Sequence, residues 1–477
     1  MKPSLWYIVK KFTLVLKGNK KVSMKQSGGF SSMTSIFEEK LRKLKKPMPM
    51  SRHFASNTLH PDSMSPQKIQ QYQLDSLKEI LKRSYDQNEF YRAKMDEAGF
   101  SPKEFKKLED IQKIPFLNKD ELRGNPYILL TCDKEDVALV QVSTGTTGGE
   151  EIYMLYTWND YYLHDLAPRY PKLFPIDPPD VCLNGLPYEM SAAGLAFHKT
   201  FMEGCNATVI PAGKGGAYST PAKTLKMIKD LEPNVIITSP SWAIMLAEEA
   251  KKQDFDFTSL ELKAVYLTGE GCSPAFRRRV EKIFGATANF FYGSLECGVL
   301  GIECDDHSGY HLTEAHVYME IVDPTSGEVL EPGEIGEIVI TSMLRYDAPI
   351  LRFRTGDLGY IETDPCECGV TLPKFHLRGR VRDQIKYNGT SFSPFYLEEF
   401  LMSQPEVGNW YEFVIDPIED NEEIHVRCEL AEGVTPSTDL ADELASKMEF
   451  STGIPFSFEF VKELPRPTGK TIRVVHK

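Results

Sequence analysis

Apolar residues recur at helical spacing near the start of the sequence and at strand spacing farther along. Between about Ser65 and Ala98 they fall three or four residues apart, which predicts that the globular part opens with helices. From Val137 onward, the strand-like runs VALVQV, NATVIP, NVIITSP, KAVYLTGE and ANFFYG alternate with helix-like segments such as LKMIKDL and SPAFRRRVEKIF. Strands that alternate with helices need crossover connections, so this part predicts an α/β fold with a mainly parallel sheet.

The pattern changes in the last third of the chain. After about Gly309, alternating runs are separated by turn clusters, as in VYMEIVDPTSGEVLEPGEIGEIVITSM, which fits a small barrel or an antiparallel sheet. Beyond Arg378 the order strand, helix, strands, helix and strand predicts a small α+β domain. We therefore expect a large domain over residues 51–378 and a small C-terminal domain over residues 379–477, after an extension of residues 1–50.

The N-terminal extension is basic and apolar, with the sequence LWYIVKKFTLVLKGNKK. Lys10 and Lys11 interrupt the apolar centre that a secretory signal needs, so a signal peptide is not expected. An amphipathic helix at a membrane surface, a disordered tail, and upstream sequence before a true start at Met24 or Met33 remain open interpretations.

Composition narrows the class of protein. Hydrophobic residues make up 41% and charged residues 26% of the 477 residues, which is typical of a soluble globular protein. A net charge of −13 argues against non-specific nucleic-acid binding, and no apolar run is long enough for a membrane span. The nine cysteines form no dense disulfide framework and their number is odd, which indicates a reducing, cytoplasmic compartment.

The string STGTTGG, from Ser143 to Gly149, follows the predicted strand VALVQV. Closely spaced glycines and hydroxyl side chains let the backbone approach and surround phosphate oxygens. The string lacks the Gly-Lys-Ser/Thr ending of a Walker loop. It predicts a phosphate loop, with a plain polar turn as the alternative.

Three further strings carry candidate ligand-binding groups. TGEG, from Thr268 to Gly271, lies where parallel strands form ligand crevices, although a simple glycine turn explains it equally well. FFYGSLECG presents Tyr292, whose ring could stack on a flat heterocycle, and Glu296, which beside phosphates would suit Mg²⁺. In LRFRTGDLGYIE, Asp357 could accept the hydroxyls of a ribose.

Taken in order with PRPTGKTIRV near the C-terminus, these strings resemble the adenylate-forming superfamily of acyl-CoA synthetases and adenylation domains. Within it the chain is most similar to the phenylacetate–CoA ligase branch and its capsule-biosynthesis relatives, from about Leu74 onward. The resemblance implies a large N-terminal domain and a mobile C-terminal domain that rotates between two half-reactions. An organic, aryl-type carboxylate would react with ATP to form an acyl-adenylate, and coenzyme A would then displace AMP.

The resemblance also implies a role for each position. Lys470 would bridge the carboxylate and the α-phosphate, offsetting the charge that accumulates there, and Glu296 would bind Mg²⁺. These two residues and Thr146 are the catalytic candidates. The expected nucleotide- and coenzyme-binding residues are Ser143, Thr144, Gly145, Thr147 and Gly148 for the β- and γ-phosphates, Gly269, Glu270, Tyr292 and Gly293 for the adenine, Asp357 for the ribose, Arg380 beside them, and Gly389 for the thiol tunnel.

The chain departs from the family pattern at three places. The phosphate loop usually continues into Lys-Pro, but here Gly149 is followed by Glu150 and Glu151, which should weaken ATP binding. Leu295 replaces the hydroxyl residue before Glu296, and Arg382 stands at the hinge where aspartate is common.

Four residues have the spacing and the chemistry of a structural zinc site. Cys366 and Cys368 form a tight thiolate pair, and Cys304 and His311 lie about sixty residues earlier. His307 is a competing fourth ligand, and unrelated buried cysteines are the alternative to a metal. Because the set leaves no open position, a zinc ion held there would be structural.

The acid pocket is expected to use the segments GLPYEMSAAGLAFHK and SPSW. Tyr188, Ala192, Ala193 and Trp242 would suit an aryl or medium-length apolar acid. Two other functions remain open: an adenylating ligase with an acceptor other than coenzyme A, and a non-catalytic nucleotide-binding homologue. The expected partner is a small carboxylic acid, and a homodimer is left open.

Overall fold

The structure of this chain is a computed structural model that describes residues 60–143, 150–163, 170–190, 192–418, 421–467 and 469–476. The predictions for the N-terminal extension, for Thr144, Gly145, Thr146, Thr147 and Gly148 of the phosphate loop, and for Gly149 lie outside these residues. The described residues all belong to one compact unit that spans Ala55–Lys477.

Helices occur in both halves of the chain. They are α1 (Pro66–Gln87), α2 (Glu89–Glu97), α3 (Lys119–Leu122), α4 (Trp158–Leu163), α5 (Ala192–Lys199), α6 (Pro221–Leu231), α7 (Pro240–Lys252), α8 (Pro274–Phe284), α9 (Pro394–Met402) and α10 (Thr438–Thr452). Short 3₁₀ helices cover Pro61–Ser63, Pro102–Glu104, Leu108–Lys113, Lys134–Asp136, Phe257–Leu260 and Val381–Asp383, and a π-helical turn, Thr200–Gly204, extends α5. Among the described residues, no helix is both long enough and apolar enough to cross a bilayer.

Helices α6 to α9 share one start sequence, a hydroxyl residue followed by proline. The side chains of Thr220, Ser239, Ser273 and Ser393 each accept a hydrogen bond from a backbone N–H in the first turn of the helix. Such a cap satisfies an N–H that has no partner within the helix, and proline at the first position has none to satisfy. These local residues explain where the crossover helices begin.

Within the part of the chain that the structure describes, the strands form one large sheet and three smaller ones. They are β1 (Val137–Val142), β2 (Tyr153–Thr157), β3 (Val181–Gly185), β4 (Thr208–Ile210), β5 (Val235–Thr238), β6 (Ala264–Leu267), β7 (Ala288–Ser294), β8 (Gly298–Glu303), β9 (Tyr310–Leu312), β10 (Val317–Val322), β11 (Gly336–Ser342), β12 (Phe353–Glu362), β13 (Lys374–Arg380), β14 (Ile385–Tyr387), β15 (Thr390–Phe392), β16 (Val407–Ile418), β17 (Asn421–Leu430), β18 (Phe456–Phe460) and β19 (Val474–His476).

The large sheet has eleven strands in the order β10-β11-β12-β13-β9-β8-β7-β6-β5-β3-β4. Strands β3 to β7 pair in parallel, as the alternating pattern predicted. From β7 onward the pairing is antiparallel, and the strand-rich last third continues the same sheet. The run VALVQV is β1, which pairs only with β2, in an antiparallel hairpin outside the parallel part.

The parallel strands lie at the centre of the core. All four residues of β5, from Val235 to Thr238, are buried. Helices α6, α7 and α8 cover the sheet with buried side chains that include Leu225, Trp242 and Phe276. Strands covered on both faces read as continuous apolar runs, which is why β5 could be predicted from the sequence.

The C-terminal part has the predicted α+β composition. Strands β18-β17-β16-β19 form a four-stranded sheet with α9 and α10 against it, and β14 pairs with β15 in a separate hairpin. Arg279 of α8 ties this part to the parallel region, because its guanidinium donates to the backbone carbonyls of Met402, Gln404, Val407 and Gly408, each at 2.9 Å. The boundary between a large and a small domain stays a prediction.

Candidate active site

A cavity of about 310 Å³ opens at the carboxyl ends of β6 and β7. Thr268 and Gly269 follow β6, Phe291 and Gly293 belong to β7, and Phe197 of α5 lines the same space. Parallel sheets bind ligands in the crevice beyond the carboxyl ends of their strands. The cavity therefore lies where a parallel sheet provides a binding site.

Seven of the expected catalytic and cofactor-binding residues line this cavity. They are Ser143, Gly269, Gly293, Glu296, Asp357, Arg380 and Lys470. They come from four strings in the first 360 residues and from two segments of the last hundred. Residues that are distant in the sequence therefore meet at one site.

Ser143 closes the base of the predicted phosphate loop. Its N–H donates to the carbonyl of Ile152 at 2.9 Å, and its hydroxyl accepts from the Ile152 N–H at 3.2 Å. Residues 143 and 152 are thus paired on either side of the glycine-rich string. On the following side, Glu150 and Glu151 are both exposed.

Asp357 is held by two side chains, one on each carboxylate oxygen. The Tyr292 hydroxyl donates to Oδ2 at 2.6 Å, and Nε of Arg380 lies 3.3 Å from Oδ1. Desolvation, followed by the charge of Asp357, raises the pKa of Tyr292 well above its usual range, so the hydroxyl stays a donor. Tyr292, which we expected beside the adenine, does not line the cavity; it orients Asp357.

Glu296 lies in the tight connection between β7 and β8. It is 7% exposed yet lines the cavity, as does its neighbour Leu295. The Ser294 hydroxyl, one position before Leu295, accepts a hydrogen bond from the Cys297 N–H at 3.2 Å and so caps this turn. The turn thus fixes the position of the Glu296 carboxylate.

Lys470 is the cation of the C-terminal segment that reaches the cavity. Although solvent reaches the side chain, surrounding protein atoms desolvate the ammonium and lower its pKa, and the Arg380 charge lowers it further. The carboxylates of Glu270, Asp357 and Glu296 act in the opposite direction. Three acidic groups therefore lie near this single lysine.

Glu270, the second residue expected beside the adenine, does not line the cavity. Its carboxylate pairs with Lys214 at 2.7 Å and accepts from the Ser241 hydroxyl at 2.8 Å. Desolvation opposes ionisation of Glu270, but the charge and hydrogen bond of Lys214, the Ser241 hydrogen bond and the Arg473 charge together outweigh it, and the pKa is lowered. Gly269, which adopts a φ of +85°, lines the cavity while the next side chain lies in this ion pair.

Three further cations line the cavity: Lys119 and Arg123, which the sequence interpretation missed, and Lys199, which ends the segment expected to form the acid pocket. Lys119 donates to the carbonyl of Thr355 at 2.9 Å, Arg123 donates to that of Glu150 at 2.8 Å, and Lys199 is 4% exposed. Lys119 and Arg123 come from a short segment around α3 that carries no glycine-rich motif, so no local pattern distinguishes them from surface charges.

Part of the segment expected to form the acid pocket lines the cavity. Ala193 lines the cavity, together with Ala196 and Phe197 of the same segment. Tyr188 and Trp242, however, do not line it. The Tyr188 hydroxyl accepts from Asn184 at 3.0 Å, and Trp242 is 1% exposed in the core, because the SPSW string is the capped start of α7. The side chain of Ala192 lies outside the described ones.

Gly389 and Arg382 lie away from the cavity lining. Gly389 and Asn388 form the two-residue turn between β14 and β15, with φ values of +73° and 48°. Positive φ at both positions is typical of a tight hairpin turn, which explains the Asn-Gly pair. Arg382 makes an ion pair with Asp383 at 3.2 Å.

The four expected zinc ligands lie together. One ligand atom from each of Cys304, His311, Cys366 and Cys368 falls within 4.8 Å of all the others. Cys304 and Cys366 approach to 3.6 Å between sulfurs, and Cys368 lies 3.3 Å from Nε2 of His311. His307 is not part of the group, because its ring lies 3.4 Å from Glu281.

A backbone carbonyl fixes the orientation of His311. Nδ1 lies 3.3 Å from the carbonyl of Leu372, which leaves Nε2 directed at the sulfurs. A metal-binding histidine generally donates its other ring N–H in this way. The donor set of three sulfurs and one nitrogen therefore fits a tetrahedral zinc ion.

Comparisons with known proteins agree with this arrangement. The family described as AMP-binding enzyme matches residues 62–344, and the AMP-binding enzyme C-terminal domain matches residues 389–477. Phenylacetate-coenzyme A ligase of Thermus thermophilus is 32% identical over 78% of this chain and 83% of its own length. The enzyme of the same name from Pseudomonas putida is 29% identical over 87% of this chain and 96% of its own length.

Solved structures show the same fold. A 2-hydroxyisobutyryl-CoA ligase in the postadenylation state matches with a TM-score of 0.80 at 21% identity, over 88% of this chain and 91% of that one. The same ligase in its thioesterification state gives a TM-score of 0.62 at 22% identity, over 87% and 91%. With two family models covering most of the described residues, the chain belongs to the AMP-binding enzyme family.

Proposed function

We propose that this protein is an AMP-forming acid–CoA ligase. It would join an organic carboxylate to AMP from ATP, with release of pyrophosphate, and then pass the acyl group to coenzyme A. The observation that carries the proposal is the convergence of Glu296, Asp357 and Lys470 on one cavity. The similarity to phenylacetate-coenzyme A ligases over most of both chains supports it.

The free acceptor positions of Asp357 suit a ribose. An ionised carboxylate offers about four lone-pair positions, two on each oxygen. Tyr292 occupies one on Oδ2 and Arg380 one on Oδ1, so one position remains on each oxygen. Two neighbouring ribose hydroxyls could each donate to one of them, and the sugar would then be held between Asp357 and the glycines Gly269 and Gly293.

Glu296 is the carboxylate that would serve the metal–phosphate part of the site. Mg²⁺ prefers one or two carboxylates together with phosphate oxygens, and it neutralises phosphate charge when bound. A nearly buried carboxylate that still reaches the cavity fits that role. The cations Lys119 and Arg123 line the same cavity and would attract the phosphates. Their charges would offset the repulsion between the phosphates and the carboxylates of Glu150 and Glu151.

Lys470 would act where negative charge accumulates. When the acid oxygen attacks the α-phosphorus, an ammonium beside both groups stabilises the transition state more than the separate reactants. Its position in the lining supports this role. The lowered pKa means that the ammonium form is lost at a lower pH than for an exposed lysine.

The acid would occupy the apolar side of the cavity. Tyr156, Phe197 and Phe291 supply aromatic surface, and Ala193 and Ala196 leave room beside them. Mostly apolar walls with a few polar anchors are typical of small-molecule pockets. This lining favours a flat aryl acid over a strongly polar one.

Transfer to coenzyme A would need movement of the C-terminal part, which the sequence predicts as residues 379–477. Gly389 lies in an exposed hairpin turn and would line the thiol tunnel after that movement. The TM-scores support the view that the present arrangement is the one used for adenylation, since the postadenylation state of the related ligase matches better than the thioesterification state.

We also propose that Cys304, His311, Cys366 and Cys368 hold a structural zinc ion. The four ligand atoms are close enough to share one ion, and the His311 ring is already oriented for it. An ion there would join the loop after β8 to the loop between β12 and β13. None of the nine cysteines forms a disulfide, which supports a reducing, cytoplasmic location. A homodimer stays a prediction.

The test is acid-dependent exchange of pyrophosphate into ATP by the purified protein, with a panel of aryl and fatty acids. Exchange that needs one class of acid and collapses in Lys470→Ala, but not in the control Lys462→Ala on an exposed turn, would establish adenylation. Thioester formation would then be measured with coenzyme A against hydroxyl, amine and carrier-protein acceptors. ATP binding without exchange for any acid would favour a non-catalytic nucleotide-binding homologue.

A further inference from the structure

A buried ion pair lies behind the cavity. Nζ of Lys214, in the loop after β4, is 2.7 Å from the carboxylate of Glu270, and the two side chains are 3% and 7% exposed. Ser241 at the start of α7 adds two hydrogen bonds to Glu270, from its hydroxyl at 2.8 Å and from its backbone N–H at 3.3 Å. The pair therefore has fixed partners within the parallel-sheet region.

The same pair holds the segment that carries Lys470. Nζ of Lys214 donates to the carbonyl of Gly469 at 3.0 Å, and the Thr471 hydroxyl donates to Glu270 at 3.3 Å. The residues on both sides of Lys470 are thus fixed to the pair, while Lys470 itself lines the cavity. Lys214 thus donates one hydrogen bond to this loop, and Glu270 accepts one from it.

We propose that Lys214 and Glu270 form a latch that positions the Lys470 loop for adenylation and releases it before the thioester is formed. The inference rests on the proposed function and assigns these two residues a positioning role. Glu270 belongs to a string that the sequence linked to the adenine, and Lys214 belongs to no motif. Neither residue is needed for contact with the nucleotide in this assignment.

The geometry allows the latch to open without isolating a charge. Leaving one member of a buried ion pair alone is strongly destabilising. When the loop leaves, however, Lys214 and Glu270 still have each other, and the Ser241 hydroxyl stays within reach of both, 3.2 Å from Nζ of Lys214. Only the hydrogen bonds to Gly469 and Thr471 are lost, and water can then hydrogen-bond to these two residues of the loop. The latch is therefore suited to repeated opening and closing.

The test separates the two half-reactions in the Lys214→Met variant. Adenylation is measured by pyrophosphate exchange, and thioester formation is measured from supplied acyl-adenylate and coenzyme A. Since a hydrogen bond that involves a charged group is lost, we expect exchange to fall about 10-fold to 100-fold, with thioester formation at the wild-type rate. Equal loss in both half-reactions, or no loss in exchange, would overturn the latch.

Two more variants guard against a general loss of structure. Lys214→Met leaves Glu270 buried without its partner, but Thr471→Val removes only the bond on the loop side and should lower exchange alone. Lys263→Met is a control for the loss of a lysine–carboxylate pair, because Lys263, which is more exposed than Lys214, pairs with Asp180 at 2.8 Å elsewhere in the parallel-sheet region. It should leave both half-reactions unchanged.

Hydrogen exchange provides a measurement that does not depend on activity. The backbone amides of residues 469–473 should exchange faster in Lys214→Met and Thr471→Val than in wild type and in Lys263→Met. Unchanged exchange rates in both latch variants would refute the proposal. If wild type adenylates no acid, the proposed function fails, and the amide measurement still decides whether the pair holds the loop.

Discussion

The hydrogen bond between Tyr292 and Asp357 allows a direct test of the ribose site. Tyr292→Phe removes one hydroxyl and leaves the aromatic contacts, since the ring centroid lies 5.7 Å from that of Phe375 and 6.2 Å from that of Tyr310. The fold should therefore be retained. What changes is the orientation of the Asp357 carboxylate, which loses the donor on Oδ2.

The magnitude follows from the surroundings of Asp357. A hydrogen bond to a charged group contributes about 1.5–3 kcal/mol. The Asp357 side chain is 22% exposed and keeps Arg380, so water can replace part of what Tyr292 supplied. We therefore expect a loss just below this range, about 1.4 kcal/mol, which corresponds to a tenfold rise in the KM for ATP. The KM for the acid should be unchanged, because Asp357 faces the nucleotide in the proposed site.

The assay is steady-state pyrophosphate release with ATP and acid varied in turn. Tyr310→Phe is the control, because it removes a hydroxyl from the same aromatic cluster without touching the hydrogen bonds that Tyr292 and Arg380 make to Asp357. In an Asp357→Ala background the Tyr292 substitution should have no further effect. An unchanged KM for ATP, or an equal rise for the acid, would refute the assignment of Asp357 to the ribose.

Three further predictions concern other parts of the molecule. Because the pKa of Lys470 is lowered, adenylation should decline on the alkaline side below the usual lysine range, and Lys470→Arg should be slower but lose this decline in a pH–rate profile. Cys368→Ser should reduce zinc content, measured by metal analysis, and lower Tm, and a chelator should do the same in wild type only. Arg352→Met leaves Glu320 buried and unpaired and should cost about 3–5 kcal/mol in urea unfolding. Because desolvation already raises the Glu320 pKa in the folded state, protonation at low pH relieves this cost, and the loss should be smaller near pH 5 than near pH 8; a loss independent of pH would contradict this account.

Much of the fold could be predicted because its determinants are local. The helices α6 and α8 follow a hydroxyl-proline start and an apolar stripe, and β5 is a short apolar run that is buried along its whole length. Pairing between strands is different, because it depends on residues far apart in the chain. The run VALVQV has the same composition as a parallel strand, yet it pairs with β2 in the antiparallel direction.

In the candidate site, too, features set by the local sequence could be predicted, and features set by distant residues could not. Glycines and carboxylates at or near a strand end could be placed at the sheet edge from the sequence, and Gly269, Gly293 and Glu296 do line the cavity. Asp357 lines it as well, although it lies within β12. The direction of a side chain within such a turn depends on partners elsewhere.

Glu270 is an example: it directly follows Gly269 in the sequence, but Gly269 lines the cavity and Glu270 does not. The left-handed φ of Gly269 reverses the chain there, and Lys214, 56 residues earlier, supplies the charge that holds the Glu270 carboxylate away from the cavity. A lysine in a loop without a motif gives no sign in the sequence that it will be buried. Glu270 could be recognised from the sequence as a functional candidate. Its role as part of the latch could be inferred only from the hydrogen bonds that join the Lys470 loop to Lys214 and Glu270.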